Sequence, residues 1–247
     1  MPDVDEKQNV HRLNPAGRLL IILNRIKDSV ASGTPWGAVL GVSEQATSAE
    51  LLNSMSLVAA IPSQIEKQVN RLALDHKQFI DTWRQPFNNA IPFMNLRNSL
   101  KDFDDRVTEI CIASLGFVSH TLANNNLEPD FDQAVLAEIR GNIWDLIQNI
   151  QDASDLDPSL SEYLLHHLYF IANAIDEYEY AGIVPLVRSI NAAVGTVVTY
   201  PNASKAKNTP FGKRFWELII RVGNVASAAR AGSFLLEKGA EIFLSSE

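Results

Sequence analysis

Apolar residues recur at steps of three and four along nearly the whole chain, the spacing that lines one face of a helix. Asn14-Pro15 is a start signal, with Asn suited to the cap and Pro to the first helical position. Leu19, Leu20, Leu23, Ile26 and Val30 then keep helical phase until Ser32-Gly33. Thr34-Pro35 repeats the signal for a short turn holding Trp36, Val39 and Leu40. Thr47 precedes a helix over 48–60, and Pro62 opens another that reaches about residue 74. Pro86 and Pro92 make 85–98 an irregular connector.

Residues 102–122 read as one helix with Phe103, Val107, Ile110, Ser114, Phe117 and Val118 on its apolar face, stopped by Asn124-Asn125-Asn126. The helix over 131–151 carries the stripe Val135, Ile139, Ile143, Leu146 and Ile150. Asp157-Pro158-Ser159 starts a further helix to about residue 182, and Pro185 begins or kinks a segment through Val198. Thr196-Val197-Val198-Thr199-Tyr200 is rich in β-branched residues, but a lone strand would have nothing to pair with, so helix is expected. Residues 201–212 form a polar loop before a last helix over 213–244, with Phe215, Leu218, Ile219 and Val222 on its stripe and Glu217 and Arg221 placed to pair. The pattern predicts an all-α protein, an irregular multi-helix bundle of about seven to ten helices. An N-terminal helical region, 1–98, and a C-terminal one, 99–247, are expected to pack as one compact unit.

Composition changes this picture little: 46% of residues are hydrophobic and 20% charged, as in ordinary globular chains. The first fifteen residues are acidic and polar, unlike a secretory signal, and no apolar run reaches membrane-spanning length. A cytoplasmic protein is the expectation. Charge adds more. The net charge of −8 disfavours nucleic acid as a partner, because backbone binding depends on Lys and Arg neutralising phosphates. Its distribution is uneven: residues 101–187 hold three basic side chains against sixteen acidic, whereas 188–247 hold eight basic against four acidic.

Candidate chemistry is sparse. The single cysteine, Cys111, lies in an apolar run and excludes an internal disulfide; His120, nine residues on, points to the opposite helical face. Glu162 and His166 share a face but lack the second Glu-x-x-His pair of a di-metal bundle. No phosphate-binding Gly-Lys-Ser/Thr loop, nucleophile elbow or His-Glu-x-x-His run is present. Arg71-Leu72-Ala73-Leu74-Asp75-His76 resembles the Arg-to-His motif of helical ribonucleases of the HEPN type. Leu72 replaces the usual polar residue, and twelve Arg and five His in 247 positions supply about one such match by chance. No catalytic residue, metal ligand or cofactor is assigned.

The charge division therefore directs the functional expectation. Asp176, Glu177 and Glu179, interleaved with Tyr178 and Tyr180, form a candidate acidic partner-binding face. Lys205, Lys207, Lys213 and Arg214 form a candidate basic patch for a partner or a membrane surface. A non-enzymatic protein acting through contacts with another protein, or through self-association, is expected; immunity, antitoxin and defence-accessory factors are examples. A membrane-associating effector using the basic last helix and a HEPN-like ribonuclease are the alternatives.

Overall fold

Asn14-Pro15 does start a helix, and the cap is buried. A computed structural model describes residues 14–42, 47–72, 77–125, 133–199 and 209–227. Among the described residues there are eleven α-helices, three of them five residues or shorter, and no strand. The all-α expectation is met. By packing, the chain divides into Met1–Asp130 with Glu179–Gly182, and Phe131–Tyr178 with Ile183–Glu247; the pattern alone suggested a division after residue 98.

The first unit contains α1 (Pro15–Val30), α2 (Trp36–Val39), α3 (Ser48–Arg71), α4 (Lys77–Ala90), a 3-10 turn (Ile91–Phe93), α5 (Leu100–Asp104) and α6 (Glu109–Asn125). The Asn14 carboxamide oxygen accepts from the Gly17 N–H at 2.9 Å. Its amide nitrogen donates to the Ser119 carbonyl at 3.2 Å and hydroxyl at 3.4 Å, so one buried side chain both caps α1 and ties it to α6. α1 packs on α3, α5 and α6, and α4 packs on α6. Leu19, Ile22 and Ile26 meet Ile61, Ile65, Trp83, Phe87, Phe103 and Leu115 in one core.

Two prolines sit where the pattern placed breaks. Pro62 lies inside α3 and Pro86 inside α4, so 48–71 is one helix and much of 85–98 is helical. An interior proline costs about 3 kcal/mol. Burial of Val58, Ile61, Ile65 and Val69 along α3, and of Trp83 and Phe87 along α4, offsets it at about 1.5–3 kcal/mol per large side chain.

The opposite correction falls on 102–122, which is two helices. Ser99 and Asp102 cap α5 reciprocally: Ser99 N–H donates to the Asp102 carboxylate at 2.9 Å, and Asp102 N–H donates to the Ser99 hydroxyl at 3.3 Å. The chain turns after Asp104, and α6 restarts where the Thr108 hydroxyl accepts from Cys111 N–H at 3.2 Å. The break resets the phase. Cys111, Leu115, Val118 and Leu122 face inward, and Ile110 and Phe117, expected in the core, are exposed.

The second unit is built from α7 (Gln133–Asp152), α8 (Pro158–Asp176), α10 (Ile183–Thr199) and α11 (Pro210–Ser227), each packed on the next, with α11 returning to α7. This closed ring of four helices buries Ile139, Ile143, Leu146, Leu164, Leu168, Leu186, Ile190, Phe215 and Ile219. Asp157 caps α8 through the Ser159 and Leu160 N–H groups at 3.1 and 3.0 Å. α8 stops at Asp176 instead of continuing to about residue 182; the short α9 (Tyr178–Ala181) follows, and Gly182 turns the chain at φ +66°. Pro185 falls in the first turn of α10, where backbone N–H groups have no helical partner, so it is tolerated there. The β-branched run is helical through Thr199, with the Thr196 hydroxyl donating back to the Ala192 carbonyl at 2.8 Å. Arg221 pairs with Glu138 at 2.7 Å and not with Glu217, since a bridge to α7 is within its reach. Residues 228–244 of the expected last helix lie outside the described residues.

Replacing Asn14 with Ala removes both the cap on α1 and the donation from Asn14 to Ser119. We expect a loss of about 2 kcal/mol in denaturant unfolding. Ser48→Ala, on the exposed first turn of α3, serves as the neutral control.

Candidate functional site

The end of α1, the Gly33 turn, α2, α3 and the chain entering α5 enclose a cleft of about 350 Å³ in the first unit. Val30, Pro35, Trp36, Leu51, Leu96 and Leu100 supply apolar walls; Ser29, Thr34, Asn98, Ser99 and Lys101 supply polar groups. Gly33, at φ +65°, makes the turn that separates α1 from α2. The Trp36 indole N–H donates to the Asn98 carbonyl at 3.0 Å, which joins two walls. Trp36 also meets Phe103 edge to face, with ring centres 5.5 Å apart. The Ser99 hydroxyl is engaged by Asp102 at 2.7 Å and the Lys101 ammonium by Asp105 at 2.7 Å. Asn98 is anchored through its backbone N–H to the Asn95 side chain at 3.1 Å, and among the described residues its carboxamide makes no hydrogen bond.

A second surface lies on α6. Ile110 is 67% exposed and Phe117 45%, with Ala113 exposed between them. The opposite face of the same helix is the buried row from Cys111 to Leu122. A helix apolar on both sides is ordinarily enclosed on both.

Two groups with reactive potential, Cys111 and His167, are held in the cores. Cys111 is buried, its thiol 3.4 Å from the Trp83 carbonyl, and burial pushes its pKa up to about 11. His167, only 3% exposed, lies between Tyr163, whose ring centre is 4.9 Å away, and Phe215. The Thr196 hydroxyl gives its proton to a backbone carbonyl and so accepts from His167 Nε2–H at 2.8 Å. That leaves Nδ1 as a buried lone pair with no hydrogen bond. Burial, and then the neighbouring His166, lower the His167 pKa to about 4. The ring is a neutral structural group at neutral pH.

The acidic trio is divided. Asp176 ends α8 in the second unit and is gripped by the Arg140 fork at 2.5 and 3.1 Å. Glu177 caps the same helix end. Glu179 belongs to the first unit, paired with Arg25 at 2.6 Å, beside the buried Tyr180, whose hydroxyl donates to the Leu40 carbonyl. Two of the three carboxylates thus have intramolecular counter-charges. Lys213 and Arg214 are exposed on the first turns of α11; Lys205 and Lys207 lie outside the described residues. The apolar stripe beside Lys213 and Arg214, including Phe215, Trp216, Ile219 and Val222, is buried in the second unit's own core.

Glu162 and His166 share the exposed face of α8, and among the described residues no three potential ligands gather as a metal site. Arg71 is exposed at the end of α3, and His76 lies outside the described residues, as does His11. No described helix is long and apolar enough to cross a membrane. Compared with known proteins, the chain matches no family model, no curated protein and no solved structure.

The cleft is not legible in the sequence because its residues come from three separate stretches, 29–37, Leu51 and 96–101, with no shared motif. The α6 surface is hidden in the sequence because the apolar spacing runs on in phase from 102 to 122, across the break between α5 and α6. The Ser99-x-x-Asp102 cap and Thr108 were the available signals.

His167 ties stability to pH with a definite sign. Between the ordinary histidine pKa of 6.5 and about 4, the unfolded chain takes up a proton that the folded one refuses. Unfolding free energy should therefore fall as pH drops through that window, by on the order of 3 kcal/mol from this ring. His167→Gln should flatten that part of the profile in urea titrations. The Cys111 thiol should react with a thiol reagent only as fast as the first unit opens, and at the free-thiol rate in denaturant.

Proposed function

We propose that this chain is an interaction protein, acting by binding another macromolecule through the outer face of α6. The observation that carries the reading is Ile110, 67% exposed on a helix whose other face is fully buried. Water contact with a large aliphatic side chain is unfavourable, at about 25 cal/mol per Å², and a partner surface would relieve it. Ala113 and Phe117 extend the same surface. Large apolar groups clustered on a surface mark association sites more often than isolated ones do.

The charge layout supports the same reading. Sixteen carboxylates against three basic side chains over 101–187 favour encounter with a basic partner. Asp176, Glu177 and Glu179 contribute to that field, Asp176 and Glu179 in a form already moderated by Arg140 and Arg25. Lys213 and Arg214 offer a smaller region of the opposite sign. The Cys111 thiol and the His167 imidazole stand in packed interiors, which suits a structural role for both.

Ile110→Glu tests the proposal, because an exposed position accepts a carboxylate with little change in stability. Sedimentation should detect self-association, and tagged full-length protein in lysate of the source organism should retain a hetero-partner; one of these should be lost in Ile110→Glu while the thermal midpoint holds. Identical sedimentation and identical retained proteins for both forms would refute it.

A further inference from the structure

The outer face of α6 has a chemistry that narrows its partner. We infer that this partner is a second copy of the chain, the two α6 helices packing antiparallel about a two-fold axis beside Ala113. This rests on the reading of α6 as the binding surface and names what it binds.

Charge narrows the choice first. From Ile110 to Asn125 the helix carries no Lys, Arg, Asp or Glu. Its surroundings are nearly balanced: α1, α4 and residues 101–109 together hold seven basic and six acidic side chains. Several of these are already matched, Lys27 with Glu109, Lys101 with Asp105, Arg25 with Glu179 and Arg84 with Glu66. The acidity of the whole chain is therefore not expressed around α6, and a second copy meets no like-signed field there.

The order of residues makes the face complementary to itself. Ile110 and Phe117, both exposed, are seven residues apart, which is two turns and within about 20° of one row. Glu109 and His120, both exposed, are eleven apart, three turns and again within about 20° of one row. The two rows share almost the same midpoint, on either side of Ser114. A two-fold axis there sets Ile110 against Phe117 of the second copy and Glu109 beside its His120, each contact occurring twice. Parallel packing would instead set Glu109 against Glu109. Ala113, small and exposed at the crossing, lets the helices approach closely. One helix face of 17 residues, about 25 Å long, covers less than the roughly 800 Å² per partner of a standard interface, so the dimer is a weak one.

Sedimentation velocity on the full chain, from micromolar to millimolar concentration, should show monomer giving way to dimer. Ile110→Glu should abolish the dimer and leave the thermal midpoint in place. Ala113→Cys, beside the axis, should cross-link two copies on mild oxidation. Asn124→Cys, about 30 Å from its counterpart across the axis, should not, nor should the native chain, whose one cysteine is buried. His120→Glu should weaken the dimer several-fold, and adding Glu109→His to that chain should restore it. A chain that stays monomeric throughout, Asn124→Cys cross-linking as readily as Ala113→Cys, or failure of the exchanged pair to restore the dimer would overturn the inference. A monomer that retains a lysate protein, lost in Ile110→Glu, overturns self-association alone and leaves α6 standing as the binding surface.

Discussion

The contact between Asn14 and Ser119 orders the first unit. Both side chains are fully buried, so each must satisfy its polar atoms inside the protein or lose about 1–3 kcal/mol. Asn14 does so by capping α1 with its oxygen and holding α6 with its nitrogen. Once Ser119 faces inward, the 100° step of a helix places Ile110 and Phe117 roughly opposite, toward solvent. The surface assigned to binding is thus a consequence of which residue of α6 must reach the head of α1.

The second unit is organised by a comparable polar node. Tyr163 and His167 on α8, Thr196 on α10 and Phe215 on α11 meet inside the ring of helices. The imidazole is acceptable there because it stays neutral and donates one hydrogen bond. Burial of this ring therefore selects a protonation state along with a packing arrangement, as linkage requires. Around it, Arg140–Asp176 and Arg221–Glu138 fasten α7 to its neighbours through exposed pairs of modest worth.

The α6 face presents Ile110, Ala113 and Phe117 to solvent, so association there is driven by removal of water. The cleft beside Trp36 is small and lined mainly by carbon, with the Lys101 ammonium paired to Asp105. The strongly acidic middle of the chain adds steering without specifying a partner.

Helical periodicity, caps and stop signals were legible residue by residue. Asn14, Asp157, Gly33 and the stripe from Ile139 to Ile150 carry local signals that need no partner to be understood. The acidic and basic regions could likewise be counted directly. Tertiary packing decided the rest. Pro62 and Pro86 read locally as breaks, yet the apolar faces they interrupt gain more from burial than the missing backbone bonds cost. The phase of α6 depends on a break after Asp104 whose consequence appears only when Ser119 finds Asn14. The cleft requires Leu51 and 96–101 to converge on the stretch that carries Trp36, and no period or motif in one chain encodes a convergence of that kind. Propensity acts over a few neighbouring residues, whereas burial sums over the entire core; where they conflict, the larger sum prevails.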